Sequence, residues 1–92
     1  MITFDFPRAL GVDIEGKTSI HLDGSCETVR GALADLGKRA PAVLDRVMDE
    51  RGSVRPHVNI FVNDESIRFL EGLDTPVSDD ARILVLAAIS GG

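Results

Sequence analysis

Cysteine is nearly absent from this 92-residue chain, which contains only Cys26. A single cysteine excludes an internal disulfide framework, a cysteine-based zinc site and an iron–sulfur cluster. The two histidines, His21 and His57, are too isolated to indicate a metal site. Lysine occurs only as Lys17 and Lys38, which disfavours covalent polymers in which copies of this protein are joined through lysine side chains. Tryptophan and tyrosine are missing, so the core must consist of aliphatic side chains and four phenylalanines.

Several classes of protein are disfavoured by what else the chain lacks. No apolar run reaches about 18 residues, so no transmembrane helix is expected. The opening stretch MITFDFPRAL lacks the features of a signal peptide, and a cytoplasmic location is expected. The net charge of -5 disfavours nucleic-acid and anionic-membrane partners but permits a protein with a basic docking surface. No catalytic constellation and no phosphate-binding glycine loop are visible, so we expect neither an enzyme nor a bound cofactor.

Alternation of apolar and polar residues predicts a strand at the N-terminus. Ile2, Phe4 and Phe6 fall on one face of this strand, and polar residues fall on the other. A second short strand is predicted over residues 18–22, bounded by glycine-containing turns. The short connection between the two strands indicates a hairpin.

The hydrophobic period then changes to that of a helix. The apolar stripe consists of Val29, Ala32, Leu33 and Leu36. Ser25 is the expected N-cap, and Glu27 would lie in the first turn of the helix. Gly37 is expected to end the helix or to weaken it locally. A short second helix follows, with Pro41 in its first turn.

The C-terminal part returns to strand patterns. The stretch HVNIFVND alternates, with Val58, Ile60 and Val62 on one face. The charged turn DESIR is expected to lie at an edge of the sheet, exposed to solvent. A very short strand is predicted around residues 67–69. The last strand lies in ARILVLAAIS and is apolar on both faces, which is typical of a central strand.

This order of elements predicts an α+β fold. A central last strand most simply lies beside the first strand, in a mixed sheet of about five strands. One main helix and a short second helix would cover one face, because an amphipathic sheet needs an amphipathic cover. This is the β-grasp, or ubiquitin-like, arrangement. We expect the β-grasp domain to span residues 1–88, with a flexible tail over residues 89–92.

The chain ends in Ser-Gly-Gly directly after the last strand. A C-terminal carboxylate is inert at neutral pH and becomes an acyl donor only after activation, commonly as an acyl-adenylate made from ATP. A tail that reaches a buried nucleotide must thread a narrow channel, and glycine has no Cβ to obstruct that passage. Gly91 and Gly92 would provide this access, and Ile89 and Ser90 would be the last residues that a partner can grip.

Residues 58–92, VNIFVNDESIRFLEGLDTPVSDDARILVLAAISGG, resemble the MoaD/ThiS family of ubiquitin-like sulfur carriers. Within this stretch, VNIFVNDESIRF and the final GG are most similar to the CysO-type carriers of cysteine biosynthesis. The resemblance extends more loosely to the N-terminal strand, the ETVRGALADL helix and LDRVMDE.

The resemblance implies a carrier of activated sulfur that is itself a protein substrate. An E1-like enzyme would use ATP to adenylate Gly92, and a sulfur donor would convert the adenylate to a thiocarboxylate. The thiocarboxylate would then deliver sulfide to an acceptor. In CysO-type carriers the acceptor is a pyridoxal-phosphate-dependent cysteine synthase, and a metallopeptidase frees the cysteine. No catalytic residue and no bound metal are implied for the carrier.

Phe61 lies on the otherwise polar face of its strand. Leu84 and Leu86 lie on the face of the last strand opposite to Ile83 and Val85, which are expected to pack against the helix. Phe61, Leu84 and Leu86 are therefore predicted to form an apolar patch on the open face of the sheet, and such patches often mark protein partners. The alternative is that loops fold over this face and bury it.

Other functions remain open at this point. The sulfur could go to molybdopterin or to thiamin thiazole, since the same chemistry serves each. A ubiquitin-like modifier would instead form an isopeptide bond with a target lysine. A non-covalent β-grasp interaction module would not need the tail.

Overall fold

The computed structural model describes residues 1–6, 19–23 and 27–87 of the chain. Five strands, two α-helices and two short 3-10 helices lie in these ranges. The strands are β1 (Ile2–Asp5), β2 (Ser19–Leu22), β3 (Val58–Val62), β4 (Glu65–Ser66) and β5 (Arg82–Ala87). The α-helices are α1 (Val29–Arg39) and α2 (Pro41–Val47), and the 3-10 helices span Ile67–Phe69 and Gly72–Asp74. No helix in the described ranges is long and apolar enough to cross a membrane.

The strands form one mixed sheet in the order β2-β1-β5-β3-β4. β5 is parallel to β1 and antiparallel to β3, and the two hairpins β1–β2 and β3–β4 flank it. The predicted central position of the last strand beside the first is confirmed. Both edges of β5 are paired with neighbouring strands, as expected for a central strand. The predicted tail, residues 89–92, lies outside the described residues.

The core lies between α1 and one face of the sheet. The α1 stripe of Val29, Ala32, Leu33 and Leu36 is buried, as predicted from the helical period. Phe4, Ile83 and Val85 are fully buried on the facing side of the sheet. α2 adds Val43 and Val47 to the same core. This packing of helix on sheet confirms the predicted β-grasp fold.

The start and end of α1 differ from the prediction. Its N-cap is Thr28, whose side-chain oxygen accepts a hydrogen bond from the Gly31 amide at 3.2 Å. Glu27 therefore precedes the helix, and Ser25 lies outside the described residues. Gly37 does not end the helix, which continues to Arg39. A Cβ at position 37 would overlap Cδ2 of Leu44, so glycine allows α1 and α2 to pack closely. Pro41 opens α2 as predicted.

The short strand predicted at Ile67–Phe69 is wrong in position. β4 occupies Glu65–Ser66, and Ile67–Phe69 forms a 3-10 helix. The Ser66 side chain accepts a hydrogen bond from the Arg68 amide at 3.3 Å, which caps this helix and ends the strand. Asn63 and Asp64 both have positive φ, which is the geometry of the tight two-residue turn between β3 and β4.

Candidate functional site

The open face of the sheet carries the three residues that were predicted to form an apolar patch. Phe61 on β3 lies directly opposite Leu84 on β5, and Leu86 lies two residues further along β5. Phe61 and Leu84 are half-buried, while Leu86 is 37% exposed. We call these three residues the sheet patch.

The register of β5 fixes the sheet patch. Ile83 and Val85 are fully buried in the core, so the intervening Leu84 and Leu86 must lie on the opposite face. A slip of one residue would place the leucines in the core and expose Ile83 and Val85. The burial of Ile83 and Val85 therefore determines the position of the sheet patch as well as stabilising the fold. Leu86 is the most exposed of the three residues of the sheet patch.

The other half of the open face is polar. Asp5 on β1 accepts a hydrogen bond from Nε of Arg82 at 2.9 Å and another from the Ser19 hydroxyl at 2.6 Å. Thr3 Oγ1 lies 3.1 Å from Nδ1 of His21, which is exposed on β2. The open face is thus divided between a polar network on β1 and β2 and the sheet patch on β3 and β5.

The hydrogen bond from Arg82 lowers the pKa of Asp5 below its ordinary value of 3.8, and the bond from Ser19 lowers it further. A lowered folded-state pKa stabilises the fold above the unfolded pKa, and this contribution is lost as pH falls through the folded pKa. The contribution of Asp5 is therefore fully present at neutral pH, begins to fall as the pH approaches 3.8, and is lost as the pH falls through the lowered folded-state pKa.

Replacing Arg82 by glutamine is expected to raise the pKa of Asp5 towards 3.8, because the main hydrogen bond and the positive charge are both removed. NMR titration of the Asp5 carboxyl carbon measures this change. Asp49 is the internal control, since its pKa is lowered chiefly by a hydrogen bond from the Ser53 amide and should not move. An unchanged Asp5 pKa in Arg82→Gln would show that the Asp5–Arg82 pair does not form in solution.

The strand that carries Leu84 and Leu86 directly precedes the predicted tail in the sequence. β5 ends at Ala87, which lies opposite Val58 at the start of β3. The predicted tail residues Ile89, Ser90, Gly91 and Gly92 lie outside the described residues. Five residues follow Ala87, and fully extended they would span about 16 Å. We call the end of the sheet where Ala87 meets Val58 the tail end.

One exposed apolar feature was missed by the reasoning from sequence. Phe69 is 89% exposed and Leu70 is 40% exposed. The prediction that all four phenylalanines belong to the core is therefore wrong for Phe69, which a strand over residues 67–69 would have placed on the same face as the buried Ile67. The available signal was the serine that precedes this segment, because Ser66 caps a 3-10 turn and turns the chain away from the sheet.

Comparison with known proteins gives consistent results over nearly the whole chain. The ThiS family model matches residues 11–92. The sulfur carrier protein CysO of Mycobacterium tuberculosis is 32% identical over 93 residues, covering 99% of this chain and 98% of that protein. Small archaeal modifier protein 3 of Haloferax volcanii is 28% identical over 82 residues, covering 87% of each chain.

A solved structure with the same fold is the crystal structure of the Amycolatopsis orientalis BexX/CysO complex. One of its chains superposes with a TM-score of 0.86 at 28% identity, covering 100% of both chains. The shared fold, the family match and the 32% identity to a sulfur carrier agree with one another. The chain therefore belongs to the ThiS family of ubiquitin-like, β-grasp sulfur carrier proteins.

Proposed function

We propose that this protein carries sulfur as a thiocarboxylate on Gly92 and donates it for the synthesis of cysteine. The observation that carries the proposal is the 32% identity to a CysO sulfur carrier over 99% of the chain. The glycine pair at positions 91 and 92 provides the chemical means, since it offers an unhindered carboxylate on a slender backbone.

The proposed activation has two steps. A carboxylate oxygen of Gly92 attacks the α-phosphorus of ATP on an E1-like enzyme, and pyrophosphate leaves. The resulting acyl-adenylate is then attacked by sulfur at the sulfide level, supplied by a donor, and AMP leaves. The carrier itself contributes no acid, base or metal to these steps. ATP belongs to the activating partner and not to a site on this chain.

The structure suggests how the carrier is held during activation. The sheet patch is the apolar surface on the strand that leads to the tail, so a partner that docks there also lies close to the tail end. Burial of Leu86, with Phe61 and Leu84 beside it, would supply a hydrophobic anchor. The similarity to a chain of the BexX/CysO complex supports an interaction of the carrier with a partner protein.

The proposed acceptor is a pyridoxal-phosphate-dependent cysteine synthase in the cytoplasm. Addition of the thiocarboxylate sulfur to the β-carbon of an aminoacrylate on the synthase would open its carbon–carbon double bond, and the α-carbon would take up a proton. The product would be cysteine joined to Gly92, and a metallopeptidase would hydrolyse that bond to release it. Delivery to molybdopterin or thiamin thiazole would use the same thiocarboxylate. The similarity to a CysO carrier favours cysteine over these two products.

Protein modification is the second candidate function. The observation in its favour is the 28% identity to small archaeal modifier protein 3 over 82 residues. A modifier would use the same Gly92 adenylate but would form an isopeptide bond with a target lysine. Covalent high-mass species that contain this chain, detected in extracts of the native host, would distinguish the modifier from a pure carrier.

Intact-protein mass spectrometry tests the proposed function. The protein is produced together with its host's sulfur machinery, with and without deletion of Gly92. We expect a mass increase equal to replacement of one oxygen by sulfur, located on the C-terminal peptide and absent from the deletion variant. An unmodified terminus in the presence of the activating enzyme and ATP would contradict the proposal and favour an interaction module.

A further inference from the structure

Phe69 and Leu70 form a second exposed apolar surface, outside the sheet patch. Phe69 is 89% exposed and Leu70 is 40% exposed, at the end of the 3-10 helix that follows β4. An apolar depression of about 210 Å³ lies next to them, lined by Val54, Val58, Ile60, Ile67, Arg68, Gly72 and Leu73. We call Phe69, Leu70 and this depression the Phe69 corner. It offers both an aromatic projection and a cavity for an apolar side chain.

The backbone of the Phe69 corner is held in place on both sides. The Leu70 amide donates to the Ile67 carbonyl at 3.1 Å, and Ile67 is buried in the core. The Glu71 amide donates to the hydroxyl of the buried Thr75 at 3.1 Å, and that hydroxyl donates to the Gly72 carbonyl at 2.7 Å. A surface that is already ordered loses little conformational entropy when a partner binds.

The Phe69 corner lies at the tail end of the sheet. Nη2 of Arg68 donates to the Pro56 carbonyl at 3.2 Å and lies 3.4 Å from the Val58 carbonyl. Val58 pairs with Ala87, the last residue of β5. Because Arg68 directly precedes Phe69, Phe69 lies near the end of the sheet at which β5 ends.

The charges on the segment that contains Phe69 and Leu70 are mostly negative. Residues 64–74 contain four acidic side chains and one basic side chain, all exposed. The guanidinium of Arg68 is turned towards the Pro56 and Val58 carbonyls, and Asp74 is paired with Arg30 at 3.3 Å. Glu65 and Glu71 therefore flank an apolar centre on an acidic rim. Such a rim repels a second copy of this chain, whose net charge is -5, and fits a basic partner.

We propose that the Phe69 corner is a docking site for the activating enzyme, which would receive Phe69 in an apolar pocket bordered by lysine or arginine. This inference rests on the proposed function. It extends the docking surface around the β4 edge of the sheet, so that the enzyme contacts the carrier both at the sheet patch and at the Phe69 corner. Phe69 is the hydrophobic anchor of this second contact, and the acidic rim sets its specificity.

The test is ATP–pyrophosphate exchange catalysed by the E1-like enzyme of the same organism, with the purified carrier as the varied substrate. Phe69→Ala is expected to raise KM for the carrier at least about tenfold and to leave kcat unchanged, because Phe69 acts in docking and not in the reaction. Phe69→Leu is expected to restore part of the affinity. Phe69 is exposed, so both variants are expected to keep the wild-type melting temperature.

Charge reversal tests the acidic rim separately. Glu65→Lys combined with Glu71→Lys is expected to raise KM and to weaken the dependence of KM on salt. Asp45→Lys combined with Glu50→Lys is the matched control, since both residues are exposed and lie on α2 or just after it. The control is expected to keep the wild-type KM.

The outcomes separate the two proposals. Exchange by the wild-type carrier with an unchanged KM in Phe69→Ala would overturn the docking inference alone. Absence of exchange with the wild-type carrier would overturn the proposed function, and the docking inference with it. Sedimentation equilibrium of the wild-type carrier and of Phe69→Ala measures whether the carrier forms a dimer. A dimer that Phe69→Ala dissociates would identify a second copy as the occupant and would also overturn the inference.

Discussion

Replacing Gly91 by valine is expected to lower the rate of carrier adenylation at least about 100-fold, the loss expected when a reacting group is misplaced by about 1 Å. Valine adds a branched side chain next to the proposed reacting residue, Gly92. A channel that admits only backbone cannot accept this side chain, so the carboxylate would stop short of the α-phosphorus of ATP. ATP–pyrophosphate exchange with the activating enzyme measures the rate.

The control for Gly91→Val is Ala42→Val on the exposed surface of α2, which also adds a branched side chain. The control is expected to keep the wild-type exchange rate, and both variants are expected to keep the wild-type thermal stability. An exchange rate for Gly91→Val within a few fold of the wild type would contradict the threading of the tail into a narrow site.

Replacing Phe4 by alanine is expected to destabilise the fold by about 3–5 kcal/mol, the range for removal of a buried phenylalanine side chain. Phe4 is fully buried, its neighbours in the sheet are Ile20 on β2 and Ile83 on β5, and its ring stacks on Phe6 at 5.9 Å. The free energy of unfolding of a native protein is about 5–15 kcal/mol, so Phe4→Ala would remove a large part of the total stability. Urea denaturation followed by circular dichroism measures the free energy of unfolding.

Phe69→Ala is the matched control for this measurement, because it makes the same chemical change at a side chain that is 89% exposed. We expect its free energy of unfolding to lie within about 0.5 kcal/mol of the wild type. If Phe69→Ala were as destabilising as Phe4→Ala, Phe69 would be packed in solution, and the Phe69 corner would not be a free surface.

Most of the fold could be predicted from local patterns. The alternation of Ile2, Phe4 and Phe6 predicted β1, and the helical stripe that begins at Val29 predicted α1. The two-sided apolar character of β5 predicted its central position. The predictions of β1 and α1 succeeded because burial on one face leaves a periodic signal in the sequence itself.

The errors lie where a single side-chain hydrogen bond decides the backbone. Thr28 caps α1, and Ser66 caps the 3-10 helix at Ile67–Phe69. Serine and threonine can cap a helix or lie in a strand, and their sequence neighbours do not distinguish these states. The prediction therefore placed a strand at residues 67–69, and it missed the exposure of Phe69.

The sequence by itself determined the β-grasp order of elements, the core-facing residues and the glycine pair on which the proposed chemistry depends. These properties follow from periodicity and from the absence of a Cβ, both of which are local. Only the tertiary structure decided which surfaces lie together. Alternation predicted that Phe61, Leu84 and Leu86 share a face, but only the register of β5 against β3 sets Leu84 directly opposite Phe61. The hydrogen bonds of Arg68 bring Phe69 near the end of the sheet where β5 ends. Such juxtapositions depend on contacts between residues that are distant in the chain, and no local pattern encodes them.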